Sequence, residues 1–310
     1  MTAIGVLGSR GFVGSEVCRL LSESGIEHVA LDRLWLPEIV SSTDLTQVLE
    51  SHESSLIGEN QELLAELSKV DGVVNAAGLA APTETNWEPL WRTNILLPAV
   101  FDMLCDHAEV SHIVHVSSAA VQSHLNPLNE QERWVGHSLY AQSKIEAEQY
   151  LLHRSKVPTA IYRATSVVGP NRKIIDSLVR LYGGRIAPVF GDGLAPLPLS
   201  ALPNTAAAIV ALSMARADGV FLQPPEGATQ ASVAAALSGS QTKLIKIPAP
   251  KPLGALVSRL GSKAGPLSPY LRRVELLVFG QAQEANRLEE QGYAPVVDIG
   301  EYLRSLTQHS

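Results

Sequence analysis

Ile4-Gly-Val-Leu7, followed at once by Gly8-Ser-Arg-Gly11-Phe-Val-Gly14, is the stretch on which the reading of this chain turns. A short, mostly apolar run suits a strand buried on both faces, as in a parallel sheet. Ser15-Glu-Val-Cys-Arg-Leu-Leu-Ser22 then reads as a helix. Between the two the chain must turn sharply. Glycine tolerates such a turn and also lets backbone approach a pyrophosphate closely. The first N–H groups and the positive dipole end of the helix would face those phosphates. A second apolar run, His28-Val-Ala-Leu31, ends in Asp32, 18 residues after Gly14. A carboxylate there is placed to accept from ribose hydroxyls.

The same alternation continues along the chain. Strand-like runs at 3–7, 28–32, 70–75, 112–117 and 158–163 are separated by helical patterns at about 14–24, 44–68, 86–106 and 138–153. This order predicts an α/β fold with right-handed crossovers and a Rossmann-type, doubly wound parallel sheet. The polar stretch 40–68 leaves room for a further short strand before its helix. After residue 165 the character changes: Val168-Gly-Pro-Asn171 is a turn, and Pro and Gly recur through 183–204. Residues 205–217 and 229–238 read as helices, with Gly219-Val-Phe-Leu222 a strand between them. The region 248–272 holds five prolines and reads equally as a lid or as a loop-rich surface. The expected division is a dinucleotide-binding domain over 1–165, with return segments around 205–225, and a smaller C-terminal substrate-binding lobe from 166 to 310.

Tyr140 and Lys144 stand four apart in Ser138-Leu-Tyr-Ala-Gln-Ser-Lys144, and Ser118 lies 22 residues before Tyr140, behind Ile113-Val-His-Val. Four residues is just over one helical turn, so the phenol and the ammonium share a face. A nearby cation favours the phenolate and brings such a Tyr toward working pH as a general acid/base. A serine hydroxyl at a strand end would polarise the oxygen on which that Tyr acts. Taken alone, a Tyr-x-x-x-Lys spacing is weak. It gains weight from the glycine-rich turn in the same half of the chain.

Composition narrows the field. The 310 residues are 45% hydrophobic and 18% charged, the balance of an ordinary globular protein able to bury a large core. The net charge of −7 disfavours nucleic acid or an anionic membrane as the main partner and leaves a small-molecule substrate. No apolar run approaches the roughly 20 residues that span a bilayer, and no secretory signal is visible. The two cysteines, Cys18 and Cys105, are expected to be small buried or half-buried residues of a reducing cytoplasm. The nine histidines form no ligand-like spacing, so no metal is expected.

The spacing G-x-x-G-x-x-G, together with Ser118, Tyr140 and Lys144, resembles the extended short-chain dehydrogenase/reductase family, the NAD(P)-dependent epimerases, dehydratases and reductases. Further matches are Asp44-Leu45, Asn75-Ala-Ala-Gly78, Thr93-Asn94, Val116-Ser-Ser-Ala-Ala-Val121 and Glu148. The resemblance implies that Ser118, Tyr140 and Lys144 are catalytic, and that Lys144 also holds the nicotinamide ribose. It implies cofactor contacts from Gly8, Arg10, Gly11, Phe12, Val13, Gly14, Asp32, Arg33, Asp44, Leu45, Ala76, Ala77, Gly78 and Asn94, besides Tyr140 and Lys144. Asp32 favours NAD. Arg10 and Arg33 leave NADP as the alternative, because either guanidinium would grip a 2′-phosphate. Members commonly pair through the helices corresponding to 86–106 and 138–153. A homodimer is therefore implied, with Leu96, Val100, Met103, Leu139 and Leu151 as contacts, although each could equally face its own sheet.

Three functions stay open on the sequence. The first is an epimerase or reductase of a nucleotide-activated sugar. The second is a carbonyl reductase or hydroxysteroid-type dehydrogenase for a non-nucleotide substrate. It is favoured by Ser166, where Arg163-Ala-Thr-Ser-Val-Val-Gly169 departs from the family's usual Asn, by Gln122 in place of a frequent Tyr, and by Asn204 in place of a frequent Asp. The third is a cofactor-sensing protein without turnover. Arg172, Lys173, Arg180 and Arg185 fall where the family often contacts a diphosphate, and read equally as a solvated helix face.

Overall fold

Strand β1 (Ile4–Leu7) is buried at every position, as its apolar run requires. The computed structural model describes residues 3–41, 44–136, 138–238, 242–249, 268–284 and 286–308. In chain order β1 is followed by α1 (Phe12–Glu23), β2 (His28–Leu31), α2 (Leu45–Glu59), α3 (Gln61–Leu67) and β3 (Gly72–Asn75). Then come α4 (Trp87–Trp91), a π turn over Arg92–Leu96, α5 (Leu97–His107), β4 (Ile113–Ser118), α6 (Leu139–Arg154) and β5 (Thr159–Ala164). With the strand Gly219–Leu222 these form a six-stranded sheet in the order β2-β1-β3-β4-β5 and then Gly219–Leu222. The pairs β1–β2, β1–β3 and β3–β4 are parallel. The winding direction reverses between β1 and β3, the place where a doubly wound sheet leaves room for a ligand beyond its strand ends.

The chain divides into two compact units, Met1–Val121, Leu139–Arg163 and Ala206–Phe221 in one and Gln122–Ser138, Ala164–Thr205 and Leu222–Ser310 in the other. In the first, Leu56, Leu63, Leu67, Leu96, Val100, Phe101 and Leu104 build a core beside the sheet. Leu96 and Val100 belong to that core, and Leu151 to a smaller cluster with Ile161 and Val220. These three of the expected dimer contacts are therefore spent inside the chain.

The stretch 44–68, read as helical, forms two helices, and among the described residues of 40–68 no strand precedes them. Asn60 separates them. Its side chain accepts from the Trp35 N–H at 2.7 Å and donates to the Trp35 carbonyl at 3.2 Å, taking both backbone groups that a neighbouring strand would pair. Pro98 supplies the reason for the π turn. It has no N–H to give to the carbonyl of Asn94 four residues earlier, so the regular ladder cannot continue there.

The second unit contains more regular structure than its Pro and Gly content suggested. It holds β6 (Ser166–Val168), α7 (Lys173–Tyr182), β7 (Ile186–Phe190) and β8 (Leu199–Ala201), and α8 (Leu202–Met214) begins in it. Beyond β9 (Gly219–Leu222) lie α9 (Gln230–Leu237), β10 (Lys243–Ile247), α10 (Ser268–Phe279), α11 (Arg287–Glu290) and α12 (Ile299–Gln308). Strands β6 and β8 pair in parallel, as do β7 and β10. The proline-rich stretch read as a lid or surface lies largely outside the described residues, between 250 and 267.

Residues 122–138, expected in the dinucleotide domain, group with the second unit. Hydrogen bonds explain this. The Leu128 N–H donates to Ala282, the Glu284 N–H to Leu128, and the Glu130 carboxylate accepts from the N–H groups of Leu222 and Arg287.

Gly14 lies in the first turn of α1, where alanine would ordinarily favour a helix by about 1 kcal/mol. A Cβ on Gly14 would, however, sit 2.1 Å from the Gly8 carbonyl oxygen, which is backbone and cannot move aside cheaply. The clash outweighs the propensity. Gly14→Ala is expected to destabilise the chain by about 2 kcal/mol or more, measured as a lower midpoint of urea unfolding. An unchanged or raised midpoint would show that the loop has slack.

Candidate active site

Gly8 follows β1 with φ at +80°, a conformation that side chains resist. A Cβ there would meet the Ala77 backbone nitrogen at 2.7 Å, so the turns after β1 and β3 are in backbone contact. The Ala76 N–H donates to the Leu7 carbonyl at 3.0 Å and the Gly11 N–H to Gly8 at 2.8 Å. Gly11 caps α1 without a side chain, which leaves the first N–H groups of the helix unmasked. Phe12 and Val13, in the first turn of α1, are half-buried.

Asp32, directly after β2, accepts from the Ser9 hydroxyl at 2.9 Å and pairs with the Arg10 guanidinium at 3.0 Å. Arg33 pairs with Glu62 at 2.7 Å. Both arginines weighed as phosphate ligands thus have carboxylate partners. Asp44 caps α2 by accepting from the Gln47 N–H at 3.0 Å, and Leu45 is the first residue of that helix. Helix capping accounts for the carboxylate without any ligand.

The resemblance places at Asn94 the family's structural Asn and also groups it with the cofactor contacts; in the fold it is fully buried and its amide bonds to protein. Its oxygen accepts from the Leu79 N–H at 2.8 Å, and its nitrogen donates to the Leu79 carbonyl at 3.2 Å and to the Ser143 hydroxyl at 2.9 Å. Ser143 in turn donates to the Tyr140 carbonyl at 2.8 Å. Asn94 therefore ties the loop after β3 to the first turn of α6 and acts on the site through that loop. Ser143 escapes the sequence reading, because a serine in a helix gives no sign of what its hydroxyl meets.

Lys144, one turn beyond Tyr140, is buried and donates from Nζ to the Val116 carbonyl on β4 at 3.1 Å. A Cβ on Gly78 would lie 3.3 Å from the same Nζ and 3.1 Å from Asn94 Oδ1. The ammonium thus sits where the ends of β3 and β4 meet α6. Burial pushes its pKa down to about 8, while the carboxylate of Glu148 pulls it upward. His115, wholly buried on β4, is held well below the usual histidine range by burial and then by Lys144, so its ring is neutral.

The two serines at the end of β4 point apart, as successive strand residues do. Ser117 is buried and donates to Glu148 at 2.5 Å. Ser118, half-buried, accepts from the Ala120 N–H at 3.2 Å. Ser118 is thus the one of the pair not committed to the buried carboxylate. Tyr140 is itself largely buried at the start of α6. Gln122, read as a mark of an unusual substrate, is also wholly buried. Its amide donates to Asn129 and to the Gln131 carbonyl and accepts from the Asn129 N–H.

Residues 4–220 match the model of the NAD dependent epimerase/dehydratase family, 217 of the 310 residues. The chain belongs to that family. No curated protein matches it by sequence. Among solved structures, this family member is similar to MoeE5 in complex with UDP-glucose and NAD, at 20% identity over 99% of both chains with a TM-score of 0.66. UDP-N-acetylglucosamine 4-epimerase from Bacillus cereus is similar at 16% identity, over 100% of this chain and 99% of that one, with a TM-score of 0.65. UDP-glucose 4-epimerase from Thermus thermophilus, in complex with NAD, is 17% identical over 99% and 98% of the two chains, with a TM-score of 0.60. At these identities the likeness is one of fold. No helix among the described residues is long and apolar enough to cross a membrane.

The buried Lys144 makes stability depend on pH in a definite direction. The folded chain releases this proton near pH 8, whereas an unfolded lysine holds it to about 10.5. Between those values unfolding takes up a proton, so Lys144 makes stability rise with pH across that window and lowers it, by on the order of 3 kcal/mol, below the window. Lys144→Met is expected to abolish that rise in urea unfolding series followed from neutral to alkaline pH. An identical rise in the variant would place the titration elsewhere.

Proposed function

We propose that this chain is an NAD-dependent epimerase or reductase that works by hydride transfer at a hydroxyl or carbonyl carbon of a nucleotide-activated sugar. The observation that carries the reading is the buried Lys144 ammonium, one turn after Tyr140, bonded to the strand that ends in Ser118 and touching the loop after β3. Family membership supports it, as do the names of the similar structures, among them enzymes of UDP-sugars crystallised with NAD.

The residues present fit a dinucleotide. Gly8 and Gly14 let β1 turn tightly into α1, Gly11 leaves the first N–H groups of that helix without a side-chain cap, and Asp32 stands at the end of β2 where ribose hydroxyls would donate to it. When bound, NAD supplies hydride transfer at its nicotinamide ring. The protein's own part is to orient and to move a proton. Tyr140 passes its phenolic proton to or from the reacting oxygen, Ser118 donates a hydrogen bond to that oxygen, and Lys144 favours the phenolate by its charge. Asp32 favours NAD over NADP, because a 2′-phosphate would meet its carboxylate, and Arg10 is already paired to it.

For the substrate, thermal unfolding in the presence of UDP-, GDP- and dTDP-sugars is the direct test. A ligand at a hundred times its dissociation constant adds about 2.7 kcal/mol to the folded state, a rise in Tm of about 5 °C or more. Stabilisation by one nucleotide sugar is the expected result. No rise with any of them, alongside a rise with NAD, would favour the reductase of a non-nucleotide substrate. With a turned-over substrate in hand, Tyr140→Phe is expected to lower the rate by about 10²–10⁴ while NAD binding persists. Full turnover in that variant would remove Tyr140 from the chemistry.

A further inference from the structure

Glu148 and Arg163 are each wholly buried and pair with each other, Nη2 to Oε2 at 2.7 Å and Nε to both carboxylate oxygens at 3.1 and 3.2 Å. Arg163 lies on β5 and Glu148 on α6, one turn beyond Lys144. Ser117, on β4 beside Ser118, completes the set by donating to Glu148 Oε1. Three neighbouring elements are thus joined through one carboxylate, and two of them carry the proposed catalytic serine and lysine.

We propose that Glu148 is a positioning residue for this site: gripped by Arg163 and Ser117, it fixes α6 against the end of β4 and keeps the buried Lys144 positively charged. The inference deepens the reading of Tyr140 and Lys144 given above and rests on it. Two facts argue that the set does more than fill the core. A buried ion pair contributes little net stability, since the desolvation of both ions offsets their attraction. A hydrophobic pair would hold β5 to α6 as well or better. What only a carboxylate supplies here is negative charge one helical turn from a second buried cation.

The groups facing Lys144 leave that task to Glu148. On α6 the residues one turn to either side of it are Tyr140 and Glu148 itself. On β4 it meets His115, which is neutral and whose ring nitrogens have no hydrogen-bond partner among the described residues. From β5 Arg163 adds positive charge behind the carboxylate, and at the turn after β3 and the π turn the neighbours are Gly78 and Asn94, both uncharged. Of these groups, Glu148 is the one that raises the pKa of Lys144 against its burial. Lose that charge, and Lys144 becomes neutral below the pH at which it now titrates. The phenolate of Tyr140 then loses its counter-charge.

The test needs no substrate. Lys144 is titrated by NMR on full-length protein carrying isotope-labelled lysine, its resonance assigned by its loss in Lys144→Met. Glu148→Gln is expected to lower the midpoint by about one pH unit or more, and Glu148→Asp, which keeps the charge, to return it toward the parent value. Because Glu148→Gln removes the carboxylate that Arg163 pairs with, the double variant Glu148→Gln/Arg163→Met serves as the second arm. It removes both charges while leaving Ser117 an acceptor, and a smaller downward movement is expected, because losing the Arg163 cation acts on Lys144 in the opposite direction. A folded variant of either kind in which Lys144 titrates as in the parent overturns the proposal. Failure of the proposed reaction would leave this midpoint unaffected, so the two ideas fail separately.

Discussion

A lysine ammonium that water barely reaches is the constraint to which the first unit is fitted. Left alone, such a group would shed its proton rather than bear the loss of hydration. Two features oppose that loss, the Val116 carbonyl at 3.1 Å and the Glu148 carboxylate one turn along α6. Glu148 brings a burial problem of its own, which Arg163 and Ser117 solve. Each polar group thus demands the next, from the strand end inward to β5. Removing Glu148 or Arg163 alone would take away the counter-charge of the other in the interior, a far larger penalty than the loss of one surface hydrogen bond.

A second chain of contacts fixes the other side of the same lysine. Pro98 interrupts the regular ladder, the π turn sets Asn94 into the interior, and Asn94 holds both backbone groups of Leu79 and the hydroxyl of Ser143. Gly78, next to Leu79, is thereby kept close to Lys144, a Cβ there lying only 3.3 Å from the ammonium. The irregular turn is thus part of how the site is held. It converts a helix residue into a brace for a loop.

The first half of the fold is legible because its signals are local. Buried parallel strands read as apolar runs, and glycine clusters mark sharp turns, so β1 to β5 fall within a residue or two of their expected places. The contacts of the site are not legible in the same way. Nothing in the residue sequence distinguishes Ser117 from Ser118 except strand alternation, and nothing local says that Asn94 meets Leu79 rather than a ligand. The contacts of Gln122 are hidden in the sequence because its partners, Asn129 and Gln131, lie in an irregular loop with no period to project. In the second unit β6 and β8 have three residues each and pair only with each other, too short for alternation to rise above chance. Segment 122–138 reads as part of the first unit from its position between two of that unit's elements, whereas its hydrogen bonds run to residues more than a hundred positions later.

The glycine loop also bears on how a choice between two cofactors would be made. The Arg10–Asp32 pair is largely solvated, with the arginine side chain 89% exposed, so as an ion pair it contributes little. Its consequence lies in what it withholds. An arginine bonded to Asp32 is not free to meet a phosphate, and the carboxylate that holds it repels one. Ser9 donates to the same carboxylate and keeps it facing the loop. A 2′-phosphate placed here would therefore meet repulsion from Asp32 and a guanidinium already paired. Exposed charges of this kind are screened by salt, so the preference should weaken as ionic strength rises. A preference set by the packing of Gly8 against Ala77 would not.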